Sequence, residues 1–254
     1  MSTALRAAFA AERVKWHKSW VLVVAVLAPL CQLGFLAILF GFSESRVQPF
    51  RPGFRFWLEL NFVIWNLVVM PLAAALIAEL SWEQEREARA WNRLLLQPIP
   101  RHTHYLVKAL GHGVLVLGSL GVFVLALGLL GKLLQTRPLL LMGPLPWSLL
   151  VGFTAYSALA LLGVVAFQTW LSLRFPGLWI SLTAALAGSW LAARLVGLSA
   201  VIYTLPWGVA AQMGIVFERW RVLPWSWVPV GLLLAAALVA LGTADFVRRR
   251  DAQA

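Results

Sequence analysis

The chain has 254 residues, of which 61% are hydrophobic and only 12% charged. A soluble domain of that length has no means of hiding so much apolar surface, so the composition specifies a polytopic membrane protein. The net charge of +11 comes from basic residues scattered at the ends of apolar runs rather than gathered on one arm or face, which speaks against nucleic acid as a partner. The lone cysteine, Cys31, excludes an internal disulfide or a cysteine-built metal site.

Residues 4–18 place Leu5, Phe9 and Trp16 among Arg6, Arg13, Lys15 and Lys18, the pattern of a basic amphipathic helix lying flat on an anionic leaflet. No cleavable signal peptide is expected, because the apolar run that follows is span-length and lacks a cleavage site. The first span is predicted from about Trp20 to Phe42, where Pro29 and Gly34 can kink it. A polar loop follows over Ser43 to Arg55. The second span runs from about Leu58 to Leu80, with Asn66 and Pro71 inside and Glu59 and Glu79 near its ends.

Glu79 to Lys108 is the only long polar segment between apolar runs. Ser81 with Gln84 fits a capping box, and the acids Glu83, Glu85 and Glu87 suit the positive end of a helix dipole. Arg86, Arg89 and Arg93 accompany them, and Glu83 can pair with Arg86 at three residues and Glu85 with Arg89 at four. Trp91, Leu94 and Leu95 form an apolar edge, and Pro98 and Pro100 end the helix. This reads either as a solvated surface helix or as a helix that docks in the groove of a soluble partner.

A third span covers Tyr105 to about Gly131, its glycines allowing close helix approach. The fourth runs from about Trp147 to Leu173, and the Phe175-Pro176-Gly177 turn leads into a fifth over about Leu178 to Val196. Leu195 to Phe217 is uncharged and long enough to cross, yet Pro206, Gly208 and Gly214 interrupt it. The last span, about Trp225 to Phe246, ends in Arg248-Arg249-Arg250. Parity decides the count. Six spans put both termini, the central segment and the Arg174 turn on one side, with thirteen of the 21 Lys and Arg residues. Seven would put the arginine triplet outside, against the positive-inside rule. The fold class is therefore an all-α membrane protein of six transmembrane helices forming one domain, 1–254. Leu195 to Phe217 is read as a re-entrant or interfacial element before span six, entering and leaving on the outer side.

Most tryptophans near span ends (Trp16, Trp20, Trp57, Trp82, Trp147, Trp170, Trp207, Trp225, Trp227) are expected to form interfacial belts. His102 and His104 read as a solvated or headgroup-contacting pair rather than metal ligands, and His112 as a hydrogen-bonding partner of a neighbouring helix. Glu59, Glu79, Arg194 and Asp245 lie shallow enough to snorkel. The sequence has no HExxH, no GxSxG and no phosphate loop ending in GK[ST], so catalytic, cofactor and metal residues are all expected to be none. Acids near mid-membrane, usual in ion-coupled transporters, are absent from the sequence, which points to a transporter driven by a partner.

One arrangement resembles a known family. Glu83 and Glu85, the Trp91-x-x-Leu94-Leu95 group, Pro98, Arg101, Tyr105 and Lys108 are similar in order to the membrane subunits of type-2 ATP-binding-cassette exporters, the group that includes lantibiotic-immunity permeases. The Leu171-Ser172-Leu173-Arg174-Phe175 turn and the broken segment before the last span also look like that family. At Ala88-Arg89-Ala90 the chain departs from the many relatives that carry a glycine before the tryptophan. The resemblance implies a cytoplasmic coupling helix between spans two and three, built by Glu83, Glu85, Glu87, Trp91, Leu94, Leu95, Pro98 and Arg101. It also implies a separate ATPase subunit holding ATP and Mg, a second permease copy or a related chain, and surrounding lipid. The setting it implies is a bacterial cytoplasmic membrane with both termini in the cytoplasm. The apolar spans suggest an amphipathic or hydrophobic cargo. A non-transporting scaffold that recruits a cytoplasmic partner is the alternative, and an intramembrane hydrolase a weaker third.

Overall fold

The computed structural model describes residues 3–17, 19–43, 53–87, 100–136, 143–196, 200–215, 223 and 225–251. Among these, six helical segments are long and apolar enough to cross a membrane: Val21–Leu39, Phe54–Glu87, His102–Gln135, Trp147–Arg174, Leu178–Leu195 and Trp225–Arg248. A separate N-terminal helix, α1 (Thr3–Trp16), precedes them.

The first span is α2 (Val21–Ser43). The second is one rod of 34 residues made of α3 (Phe54–Ile64), a π turn (Trp65–Val69) and α4 (Met70–Glu87). The cause of the π turn lies just beyond it. Pro71 has no N–H to give, and its ring would press on the carbonyl four residues back, so the chain widens there and the Met70 N–H reaches the Trp65 carbonyl instead. At 1.5 Å per residue the rod is about 51 Å long, against a hydrocarbon core of about 30 Å, so it overhangs the bilayer. Ser81 therefore lies inside a continuous helix rather than at the start of a new one, and the expected capping box is not formed.

The third span, α5 (Arg101–Gln135), begins immediately after Pro100, whose fixed φ suits the position before a helix. The fourth is α6 (Trp147–Ala160) followed by α7 (Leu162–Arg174), and backbone hydrogen bonds on both sides of Leu161 keep the two nearly continuous. The fifth is α8 (Leu178–Leu195). Ala200–Thr204 forms a 3-10 turn and Gly208–Ile215 a short helix, α9. A second 3-10 turn, Trp225–Trp227, leads into α10 (Val228–Asp251), the sixth span.

The second span is the hub, in contact with α2, α5, α7 and α8. Its upper half carries the large core aromatics. Trp65 stacks on Phe123 at 4.5 Å, and Phe62 meets Phe123 and Phe153 edge-on at 5.2 and 5.4 Å. Buried amide NH2 groups donate to neighbouring backbone and side chains there. Asn66 donates to the Phe62 carbonyl and to Ser157 Oγ at 2.8 and 2.9 Å, and Gln32 donates to the Asn61 carbonyl at 2.9 Å.

α9 has eight residues, about 12 Å of helix, too short to cross. It packs instead on the interior: the Tyr156 hydroxyl donates to the Val209 carbonyl at 2.8 Å, and Trp207 lies over Gly188. Two glycines make this possible. A Cβ at Gly188 would fall 2.5 Å from the Trp207 ring, and one at Gly208 only 1.8 Å from the Ile202 carbonyl oxygen.

The tryptophan belt is smaller than expected. Trp20 and Trp147 are well exposed, but Trp16, Trp57, Trp82 and Trp207 are buried between helices. Proximity to a span end does not distinguish a ring facing lipid from one filling a helix junction.

Candidate coupling site at the end of the second span

The last two turns of α4 carry polar residues on two opposite faces. At 100° per residue, Glu79 and Arg86 fall on nearly the same bearing, while Ser81 and Glu85 point the other way. Each face is held by a different neighbour.

On the first face, Glu79 is 2% exposed and pairs with Arg86 two turns along. One of its oxygens accepts the backbone N–H of Gly177 at 3.0 Å, and the other accepts from the Ser181 hydroxyl at 3.3 Å. Arg86 also donates to the Ser172 carbonyl at 3.3 Å. A carboxylate thus sits at the N-terminus of α8, where free amides and the helix dipole favour negative charge. Gly177 has φ +144°, a conformation that side chains rarely adopt, and this turns the chain sharply from α7 into α8. The expectation that Glu79 snorkels is overturned, because α7 and α8 close over it and supply its hydrogen bonds.

On the second face, four charges form a closed, neutral set. Lys108 of α5 lies 3.0 Å from Glu12 of α1 and 3.1 Å from Glu85 of α4. Lys15 of α1 reaches the same two acids at 3.0 and 2.6 Å. Lys108 also donates to the Ser81 carbonyl and hydroxyl, both at 2.8 Å, and sits 5.1 Å above the Trp82 ring. Trp82 donates from its indole to the Thr169 carbonyl at 3.1 Å and lies in an aromatic group with Tyr105 and Phe246. Burial alone would push the Glu12 carboxyl up, but Lys108 and Lys15 outweigh it and hold the group at about 2. For Lys15, burial acts to lower the value, and Glu85 and Glu12 together raise it above the ordinary lysine range. The set rims a cavity of about 140 Å³ that His104 also lines.

α1 is therefore docked on the protein along one edge. Glu12 and Trp16 are buried, and Trp16 packs against Gly111 of α5, while Arg6 and Arg13 stay exposed. His112, one turn further into the span, meets Thr169 Oγ1 at 2.9 Å, the helix-to-helix bond the sequence suggested.

The sequence-derived site residues are distributed unevenly over this geometry. Glu83 and Glu87 are exposed, and Arg101 is the first residue of α5. Glu85 is buried, and its partners are lysines of this chain. Trp91, Leu94, Leu95 and Pro98 lie outside the described residues, as does Arg89, an expected partner of Glu85. Sequence reasoning missed Glu12 and Lys15. One signal was available: Glu12 is the only acid before residue 44, set in an otherwise basic helix.

The family model of the ABC-2 family transporter protein matches residues 8–192, a stretch that runs from α1 through most of the fifth span and includes both faces of the site. No curated protein matches the chain. The α1 edge, the overhang of the second span and the turn into the fifth all fall inside the matched residues, and the chain belongs to the ABC-2 transporter family as a membrane permease component.

Proposed function

We propose that this chain is the membrane-spanning subunit of an exporter that moves an amphipathic or hydrophobic cargo (a peptide, lipid or drug) using ATP hydrolysed by a separate subunit. Family membership implies an ABC ATPase as partner and, typically, a pair of permeases. In this reading the stretch from Glu83 to Leu96 is the coupling helix, carrying Glu83, Glu85, Glu87, Trp91, Leu94 and Leu95, with Pro98 and Arg101 just beyond it. ATP and Mg bind on the partner. Both termini and the coupling segment lie in the cytoplasm of a bacterial cell, and the membrane is its inner one.

One observation carries the reading. The overhang that leads directly into residues 88–99 is clamped on both faces, by Gly177 and Ser181 at the start of the fifth span and by Lys108 and α1 on the other side. A push delivered to the end of the overhang reaches three other elements through short charge-assisted contacts.

The test is recovery of the ATPase on wild-type and Trp91→Ala protein at equal membrane levels. A buried interfacial tryptophan is typically a hot spot, so Trp91→Ala is expected to lose about 2 kcal/mol or more of docking energy while the chain stays inserted. Partner recovery and transport-linked ATP hydrolysis should fall together. Equal recovery with equal stimulation would remove the coupling assignment. Recovery of an ATPase whose hydrolysis ignores this chain would favour the scaffold alternative.

A further inference from the structure

An open groove of about 1160 Å³ runs between the third, fourth and sixth spans. Its walls are aliphatic: Leu110 and Val114 of α5, Val165 of α7, and the small Ala236 and Ala240 of α10, whose short side chains hollow out the floor. The one hydroxyl on the wall, Thr243, already donates to the Val239 carbonyl of its own helix at 2.7 Å, so it asks nothing of an occupant. Arg248 stands at one end, exposed, the first residue of the Arg248-Arg249-Arg250 triplet.

Depth and charge identify what fits. Along α10 the lining runs from Leu232 to Arg248, and along α5 from Leu106 to Leu117, which at 1.5 Å per residue are about 24 and 17 Å. One leaflet of a bilayer has a hydrocarbon depth of about 15 Å, half of the core. The groove therefore starts at the headgroup level beside Arg248, ends near the bilayer centre along α5 and continues somewhat past it along α10. A helix from a second copy would run the whole thickness and has no need of an apolar slot that ends in an arginine. We propose that the groove is a site for an anionic phospholipid of the leaflet that borders Arg248, with an acyl chain along Ala236 and Ala240 and the phosphate against the Arg248 guanidinium. The proposal rests on the membrane-spanning architecture and not on transport, so it stands or falls separately from the exporter reading.

The test uses the full chain, purified in detergent and mixed with phosphatidylglycerol or phosphatidylcholine, with bound lipid counted by native mass spectrometry. Wild-type protein should retain one phosphatidylglycerol in preference to phosphatidylcholine. Arg248→Gln should reduce that preference roughly fivefold, the loss of one arginine contact to an anionic headgroup. Ala240→Phe, which fills the floor, should abolish retention of both lipids. A second measurement does not depend on how the variants fold. Phosphatidylglycerol carrying a diazirine at its chain end, photolysed with wild-type protein in vesicles, should label α5 and α10 within the groove. Label confined to other spans, or no headgroup preference in wild type, would overturn the site. So would a high-yield disulfide between copies through Ala236→Cys, which would make the occupant a second copy of this chain.

Discussion

The carboxylate of Glu79, at the end of the second span, accepts the backbone N–H of Gly177 at 3.0 Å, 98 residues further along the chain. With the bond from the Ser181 hydroxyl at 3.3 Å it joins the overhanging rod to the start of the fifth span, and Arg86 holds the carboxylate in position.

Glu79→Gln keeps the shape of the side chain but removes the charge that Gly177, Ser181 and Arg86 all address. A hydrogen bond to a charged group typically contributes about 2 kcal/mol, and a loss of that order is expected in unfolding of the detergent-solubilised protein. Gly177→Ala strikes the same joint from the other side, because a side chain at φ +144° is strained by about 1–3 kcal/mol. An unchanged melting curve for both variants would show that this joint does not hold the fifth span.

The two lysines of the charge cluster are not equivalent. Lys108 is buried with its partners, whereas the Lys15 side chain is 36% exposed. Lys108→Met leaves two buried carboxylates facing one partly solvated amine and is expected to destabilise by about 3–5 kcal/mol. Lys15→Met should lose under about 1 kcal/mol, screened by water. Adding Glu12→Gln to Lys108→Met should recover part of the loss. Titration in mixed micelles with a denaturing detergent measures all three, and equal effects for the two lysines would contradict the burial argument.

Docking of α1 should be indifferent to pH across the physiological range and fail in acid. The Glu12 carboxyl is held down from its ordinary 4.5 to about 2. Its contribution is therefore complete above 4.5 and disappears as pH falls from there through about 2. Lys15 is shifted up from 10.5, so its contribution is complete below that value and is lost only at more alkaline pH. Hydrogen–deuterium exchange of the α1 peptides, with the intrinsic pH dependence divided out, should be flat from about pH 5 to 9 and rise sharply below about pH 4. A transition near neutrality would mean that another group controls the docking.

Cysteines at positions 199 and 217, in a Cys31→Ser background, should both react with a reagent confined to the side opposite Arg250. α9 is too short to carry the chain across, and both flanks belong to that side under the six-span count. Reaction from opposite faces would establish a true seventh crossing.

The spans were legible because their signal is coarse. Twenty or so apolar residues suffice, and the observed ends of the fourth and fifth spans fall within a residue of those read from the sequence. The second span was misjudged at both ends. Its helix starts at Phe54 inside an apparent polar loop and continues to Glu87 through residues that look like a cap. Ser81 and Gln84 satisfy a local pattern, but Lys108 and Glu12 give Ser81 and Glu85 partners that only tertiary packing brings near, so the helix has no reason to stop. The same limit hid the site. Glu12, Glu85 and Lys108 are spread over nearly a hundred positions, and no periodicity within one helix announces that three helices will share their charges.

The π turn at Trp65–Val69 has a consequence for everything beyond it. A π turn is an α-helix carrying one surplus residue, and each residue advances the bearing of those that follow by about 100°. The wide turn absorbs the bearing that the surplus residue would otherwise add, so the aromatic half of the second span and its charged end keep the phase of an uninterrupted helix. Deleting Val68, on the exposed side of the turn, would therefore leave Glu79 facing Gly177 and Glu85 facing Lys108, while pressing the Pro71 ring onto the carbonyl four residues back. The surplus residue is a washer under the proline: it takes up local strain and leaves the rest of the rod in register.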